Sequence, residues 1–331
     1  MADSPDDDAQ GSEPQSMADV LLNLPAVRAA KKMNTLSRVH RRLIEPITYD
    51  DEARLAFQHT VFCQTGLPYR NPGDDVRLWE RHQGTTTLRI EAGAVLNLST
   101  RSWTNVGIPW GTKPRLILAH LNAEALRQGS PEIEIERSLS AFVKRIRGFD
   151  GGREIRFFKD QLSRLSAATV RLGVFHGDNH GHQVNTQIIT AFDLWLEKDE
   201  RQRCLWPTTI HLSKEYFDSL LLHAVPLYEE DLAALAHSAL ALDLYSWLAQ
   251  RLHRVTPTRP AFITWVALKQ QFGPDYGRMD NFKRIFRVAL RQVRARYDRA
   301  RLDLDGHGIT LHHSLPPVTK RQVLLSPKST T

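Results

Sequence analysis

Cysteine is nearly absent from this 331-residue chain: Cys63 and Cys204 are its only two. A disulfide framework is thereby excluded as the source of stability, and the count suits a reducing compartment better than secretion. Long apolar runs are missing as well. The most apolar stretch, residues 231–249, is interrupted by Asp231, His237, Ser238, Asp243 and Ser246. It falls short of the roughly 18 consecutive apolar residues that a membrane span requires. No basic segment followed by an apolar one opens the chain, so export is not expected and the cytoplasm is. What remains is an ordinary globular balance, with 41% hydrophobic and 24% charged residues. The length allows about two domains of ~150 residues.

Charge is more informative by position than in total. The net charge is +7, yet Asp3, Asp6, Asp7, Asp8 and Glu13 make the first 17 residues purely acidic, which leaves +12 for the rest. Between Arg278 and Arg301 nine basic residues face only Asp280 and Asp298. Basicity concentrated in this way is expected of a surface that meets a polyanion, although a solvated helix face is the simpler account of most charge runs.

The acidic start lacks aromatics and cannot bury a core, so it is expected to be disordered. A helical arm with Arg38, Arg41 and Arg42 follows up to about residue 44. The Gly- and Pro-rich stretch 60–110 contains one alternating run, residues 85–90, that suits a strand. From Gly111 the punctuation is clearer. Pro114 stands in a first helical turn, with Leu116, Ile117, His120, Leu121, Ala125 and Leu126 on one face, and Gly129-Ser130-Pro131 ends the helix. A short helix carries Leu139, Phe142, Val143 and Ile146. A third has Ile155, Phe158, Leu162 and Leu165 spaced 3, 4 and 3 apart. Strands over 169–175 and 184–195 then flank a turn-rich loop.

The same order recurs near the C-terminus. A long amphipathic helix over 232–252 is followed by a short one over 262–272. A basic helix from Asn281 to Tyr297 follows, with Phe282, Ile285, Phe286, Ala289 and Val293 on one stripe. Two strands then flank Asp305-Gly306, a hairpin signal. Helix, short helix, basic helix and hairpin, twice over, predict a helix-rich α+β fold of two tandem winged-helix domains. The expected division is a disordered tail and helical arm over 1–45, a first winged-helix domain with an N-terminal β elaboration over 46–204, and a second over 205–331 with a short C-terminal tail.

A recognition helix buries one face while the other enters the major groove, where arginine can reach phosphates or guanine O6 and N7. The expected DNA-binding residues are therefore Arg278, Lys283, Arg284, Arg287, Arg291 and Arg294 in the second unit. In the first, less basic unit they are Arg153, Arg156, Lys159 and Arg164. The simpler role for that first unit is a packing or dimerisation module that touches DNA little.

Four stretches carry a family resemblance. They are Pro109-Trp110-Gly111-Thr112-Lys113-Pro114-Arg115-Leu116-Ile117-Leu118-Ala119-His120; Phe158-Lys159-Asp160-Gln161-Leu162-Ser163-Arg164-Leu165-Ser166-Ala167; Ala224-Val225-Pro226-Leu227; and Ser238-Ala239-Leu240-Ala241-Leu242-Asp243-Leu244-Tyr245. Together they make the chain resemble the plasmid-encoded RepA replication proteins of proteobacteria, over roughly residues 57–313. The resemblance implies an initiator that binds direct repeats (iterons) in duplex origin DNA and helps open the origin. It also implies contacts with the host initiator and replicative helicase machinery, and a homodimer through the first winged-helix domain.

No enzymatic signature competes strongly. His176-Gly177-Asp178-Asn179-His180-Gly181-His182 could ligate a metal or imitate the His-hydrophobe-His motif of rolling-circle nicking enzymes, but Gly181 occupies the position that wants a bulky apolar residue. A Gly-, Asp- and Asn-rich loop between strands also suits a wing tip. The segment from Gly107 to Lys113 has the wrong spacing and the wrong Thr-Lys order for a phosphate-binding loop. No catalytic residue, metal or cofactor is expected. The alternatives to an initiator are a transcriptional repressor without a replication role and a metal-dependent nicking enzyme.

Overall fold

The described chain opens on a strand, β1 (Leu55–His59), that passes directly into a short helix, α1 (Thr60–Thr65). His59 makes the junction: its backbone is extended and its Nδ1 accepts the Val61 amide N–H at 3.2 Å, which caps the helix. In this computed structural model the residues described are 54–318, without 85, 98–99, 136–140, 145, 147–151, 176–180 and 193–208. All of them belong to one unit spanning Ile47–Thr331. The N-terminal arm, most of the His-rich loop and the expected boundary at 204/205 lie outside the described residues.

A hairpin of β2 (Leu78–Gln83) and β3 (Thr86–Glu91) comes next, and burial alternates along β3 as the sequence pattern requires. A second hairpin, β4 (Ala94–Asn97) with β5 (Ser102–Asn105), stands apart as its own two-stranded sheet. Its two feet are held by Arg77, which donates to the carbonyls of Ala92 (2.5 Å), Gly93 (2.9 Å) and Val106 (2.7 Å). Helix α2 (Thr112–Gln128) follows and ends on Gly129 in the left-handed conformation. After β6 (Glu132–Glu134), residues 141–144 are helical, and α3 (Gly152–Ala167) leads into β7 (Thr169–Phe175), β8 (Gly181–Gln187), β9 (Ile189–Phe192) and β10 (Thr209–Leu212). Strands β7 and β8 extend the β2–β3 hairpin into a four-stranded antiparallel sheet, order β2-β3-β7-β8, and a three-stranded sheet runs β6-β10-β9.

The C-terminal part comprises α4 (Lys214–His223), β11 (Ala224–Tyr228), α5 (Glu229–Leu235), α6 (Ala239–Arg251), β12 (Ala261–Thr264), α7 (Trp265–Phe272), α8 (Met279–Arg294), β13 (Leu302–Leu304) and β14 (Gly308–Leu311). The last sheet has the order β12-β14-β13. Strand β11 pairs antiparallel with β1, so the beginning and the middle of the described chain share one ladder. The α+β character expected from the sequence is observed.

Four elements differ from the sequence pattern. The single strand expected over 184–195 is two, β8 and β9, and they belong to different sheets. The single amphipathic helix expected over 232–252 is two helices, because Ser238 adopts an extended conformation and its hydroxyl caps α6 through the Ala241 amide. Helix α6 is not amphipathic in place. Residues 240–250 are all buried, since α1, α2, β11 and α8 pack around them. The helix expected over 262–272 begins three residues later, because 261–264 form β12. That strand runs so close to β14 that a Cβ on Gly308 would meet the Ile263 carbonyl oxygen. The basic helix, expected over 281–297, spans Met279–Arg294.

Two buried ion pairs hold α6. Arg115 on α2 donates Nε to Asp243 Oδ1 (2.6 Å) and Nη2 to Oδ2 (2.8 Å). Its remaining N–H groups reach the carbonyls of Leu67 (2.6 Å), Pro68 (3.2 Å) and Gly111 (2.5 Å), so all five donors are used. Gly66 lies against this pair with φ 66°, where a Cβ would meet the Asp243 carboxylate. In the second cluster Asp231, fully buried, accepts from Arg296 Nε (2.7 Å) and from the Tyr245 hydroxyl (2.6 Å).

Removing one partner of a buried pair leaves the other charge without compensation. Asp243→Ala is expected to lower the unfolding free energy by about 3–5 kcal/mol in urea denaturation. Arg115→Met with Asp243→Leu is expected to recover only part of it, because three carbonyls lose their donor. A second expected outcome concerns pH. His59 is buried, its Nε2 lies 3.0 Å from the Ser219 hydroxyl, and burial, then the nearby His223, lower its pKa to about 4. The unfolded chain binds a proton near pH 6.5 that the folded one refuses until about pH 4. The stability this group supplies is thus present above pH 6.5 and lost as pH falls toward 4. The loss is about 3 kcal/mol. His59→Asn, which keeps a capping oxygen, should flatten that acid limb.

Candidate nucleic-acid interface

Helix α8 is built on a buried stripe. Phe282, Phe286, Ala289, Leu290 and Val293 are each at most 3% exposed, and Ile285, expected among them, is only half-buried. The stripe packs on α6 and α7. Phe286 meets Trp265 and Phe272 with ring centroids 5.5 and 6.0 Å apart, and Phe272 meets Trp247 at 5.1 Å. Edge-to-face and tilted contacts at these distances fix ring orientation as well as burying area. The helix end is set by Arg296, which turns inward to Asp231 and is buried; of the nine basic residues counted in the sequence, this one serves the core.

On the other side Arg284, Arg287, Arg291 and Arg294 are exposed and Lys283 is half-buried. Trp265 supports two of these cations: the Lys283 ammonium lies 5.3 Å and the Arg287 guanidinium 5.1 Å from its ring centroid. Arg284 Nη2 donates to Asn281 Oδ1 at 2.9 Å. Among the described residues, Arg278 is the only one of the six proposed cations on this helix with a carboxylate in ion-pair range. Its partner is Asp280, 2.6 Å away. That exposed contact holds the Asp280 carboxyl below its usual range, chiefly through the Arg278 hydrogen bond. The face therefore carries five cations not matched by neighbouring acids among the described residues.

The β13–β14 hairpin is fastened beside this face. Trp265 Nε1 donates to the Asp305 carbonyl at 3.1 Å, and Lys283 Nζ to the Gly306 carbonyl at 3.2 Å. The Asp305 carboxylate accepts the amides of His307 (2.7 Å) and Gly308 (2.8 Å), which closes the turn and lowers its pKa, Gly308 contributing most. Trp265 is thus the hinge pin of helix, turn and cations. The sequence pattern puts it inside a helix rather than at its start; Thr264 before it, a capping residue that accepts the Ala267 amide, is the signal that marks the start.

The first unit is less open. Arg153 and Arg156 are exposed on α3, and Lys159 is half-buried. Arg153 and Lys113 both lie over the half-exposed Phe157 ring, at 5.8 and 5.5 Å. Arg164 departs from the expectation. Its side chain is 10% exposed, with Nη1 2.9 Å from Asp74 and Nε 3.0 Å from Asp160. A guanidinium held between two carboxylates under the Asp74 loop is a packing group, not a free phosphate contact. Arg153 of α3 and the Lys283 and Arg287 cations of α8 rest on different rings, Phe157 and Trp265.

Among the described residues no group of three His, Cys, Asp or Glu could hold a metal ion, and the His-rich loop at 176–180 is outside them. No helix is long and apolar enough to cross a membrane among the described residues. Cys63 is a free, buried thiol whose pKa burial raises. An open polar cleft of about 350 Å³ beside β12 is lined by Gln64, Gln83, Gln250, Arg251, Arg254 and Gln271, with no acid–base pair.

Residues 108–267 match the family described as plasmid encoded RepA protein. The RepA resemblance read in the sequence is thereby shown for just under half of the chain, from the loop before α2 to the first turn of α7. Helix α8 lies beyond the matched RepA region, so its cations stand on geometry alone. No curated protein matches the chain. Among solved structures, two crystal structures of domains 2 and 3 of RctB, one of them a selenomethionine derivative, align at 11% identity. They cover 77% and 78% of this chain and 98% of theirs, with TM-scores of 0.46 and 0.48.

The contrast within the RepA-matched α3 is testable. Arg164→Ala is expected to cost about 1–3 kcal/mol of stability, because two charge-assisted contacts of a nearly buried group are lost. Arg156→Ala, on the exposed face, should stay within about 0.5 kcal/mol. Thermal unfolding of the two variants separates the roles.

Proposed function

We propose that this protein is a plasmid replication initiator that binds duplex origin DNA at direct repeats through two winged-helix units. The observation that carries the reading is the outer face of α8. Five cations without matching acids, two of them seated on Trp265, sit on a helix bolted to its core and flanked by a tied-down hairpin. A helix that buries one face and offers guanidinium groups on the other has the form of a major-groove reader, and a hairpin at its side has the form of a wing. In this reading α6, α7, α8 and the β13–β14 hairpin make the second winged-helix domain. Helix α2, the helical residues 141–144, α3 and the β7–β8 hairpin make the first. The match of residues 108–267 to plasmid encoded RepA protein supports placing the DNA at a plasmid origin.

Arg284, Arg287 and Arg291 are assigned to base edges and phosphates, with Lys283 and Arg294 on phosphates and Arg278 at the helix start. Arg153, Arg156 and Lys159 serve the first unit, and Arg164 is left out because its carboxylate partners hold it. The protein is proposed to be non-enzymatic: origin opening draws on binding energy and on recruited host initiator and helicase proteins in the cytoplasm. The first unit is the proposed homodimer contact.

Binding is expected to depend steeply on salt. If α8 neutralises about four to six phosphates, log K should fall with log salt at a slope of roughly −4 to −5. Arg294→Ala should weaken all duplexes alike and flatten that slope by about 1. Two recognition helices in successive major grooves should protect roughly 20 bp per monomer. Fluorescence anisotropy and footprinting on a direct repeat read all three. The proposal fails if replacing Arg284, Arg287 and Arg291 together leaves affinity for the repeat unchanged, or if added Mg²⁺ yields reproducible strand nicking by the purified protein.

A further inference from the structure

The residues of α8 that point away from its buried stripe include Arg284, Arg287, Val288 and Arg291, spaced three and four apart and so on one face. Val288 is 38% exposed, the one apolar residue among these arginines. A single exposed apolar side chain is ordinarily unremarkable. Here two facts give it meaning. Valine is a poorer helix former than the Ala, Lys, Glu or Arg that exposed helix positions favour. It also stands between three guanidinium groups, on a face whose field draws a polyanion onto it. An apolar group brought by its neighbours to the floor of a major groove meets donors and acceptors almost everywhere. Opposite those it would leave polar edges unpaired, at a cost. The groove offers one apolar complement, the C5-methyl of thymine.

We propose that Val288 is a specificity-determining residue that packs its methyl groups against the C5-methyl of one thymine in the bound duplex. The inference rests on α8 being the DNA-reading helix, and it adds what the arginines alone do not supply. Arg284, Arg287 and Arg291 favour guanine and phosphate. Val288 fixes a thymine inside the same contact, so the site read by α8 combines guanine positions with one thymine. Because Val288 is exposed and lies off the buried stripe, its replacement is expected to leave the fold intact, which thermal unfolding of the variant checks.

The test uses the full chain and a duplex that it enriches from a randomised pool. Each thymine of that duplex is replaced in turn by deoxyuridine, which removes one methyl and nothing else. One replacement is expected to weaken binding about fourfold, the effect of burying a single methyl-sized group. Val288→Ala should bind the thymine duplex about fourfold more weakly and should no longer distinguish thymine from uracil at that position. Val288→Ile should keep the distinction. The proposal is overturned if no uracil replacement alters binding, or if Val288→Ala remains as sensitive to the replacement as the parent. Failure of the α8 reading itself is recognised separately. In that case, replacing Arg284, Arg287 and Arg291 together leaves affinity for the enriched duplex intact, or no duplex is enriched, and both readings fall.

Discussion

The contact on which the rest of the described structure depends is the bidentate pair of Arg115 and Asp243. It joins α2 to α6, against which α8 packs, and it draws in the loop from Gly66 to Pro68 through backbone carbonyls. A buried ion pair by itself is weak grounds for stability, because desolvation takes back most of the Coulombic attraction. Its value is geometric. Five donors of fixed direction, each with an acceptor, allow one arrangement of three segments and reject its neighbours. Lysine could not serve, having three donors on a flexible stem and no planar edge to match a carboxylate. The left-handed Gly66 follows from the same demand, since a side chain there would occupy the space of the Asp243 carboxylate.

From α6 the constraint passes to the basic helix. Asp231 divides its two oxygens between Tyr245 on α6 and Arg296 just past the end of α8, so the C-terminal end of α8 is positioned from inside the core. The other end is positioned by Phe282 and Phe286 against Trp265 and by Tyr276 against Phe282. Arg81 closes the frame. It reaches from β2 to the Gln271 carbonyl at the end of α7 (2.7 Å), with its guanidinium 4.9 Å from the Trp79 ring centroid. The outward cations thus start from a helix with little freedom to rock, and a preorganised surface loses less entropy when it meets its ligand.

Much of this was legible from local pattern. The apolar stripe of α8 (Ile285 excepted, which is half-buried), the hairpin around Asp305-Gly306, the stop at Gly129 and the alternation along β3 are one-element properties, found within a few residues of where the spacing puts them. What escaped depends on partners distant in sequence. Charge counting treats Arg296 and Arg164 like any other base. One is neutralised by Asp231, 65 residues away, and the other by Asp74, ninety residues away, together with Asp160 one turn back. The Asp160–Arg164 spacing was readable, as a helical i,i+4 pair. The remote partners were not. Residues 262–264 read as the start of a helix because a short apolar run carries no period to distinguish it from a strand, and only the edge of β14 decides them. The break at Ser238 was signalled by its capping side chain but masked by the apolar residues on both sides of it.

Two sets of arginines among the described residues consequently show opposite physics. Arg77, Arg81, Arg115, Arg164 and Arg296 spend their donors on carbonyls and carboxylates of the fold, which removes them from the external field. Arg284, Arg287, Arg291 and Arg294 are exposed and have no carboxylate in ion-pair range among the described residues; Arg284 donates to the neutral Asn281 amide and Arg287 lies over Trp265. The first set engages four carboxylates, those of Asp74, Asp160, Asp231 and Asp243, each paired inside the fold and not beside α8. The cations of α8 thus make a locally concentrated outward charge, although the chain as a whole is only +7. A low net charge and a strong local field are compatible because the fold sorts its guanidinium groups by depth.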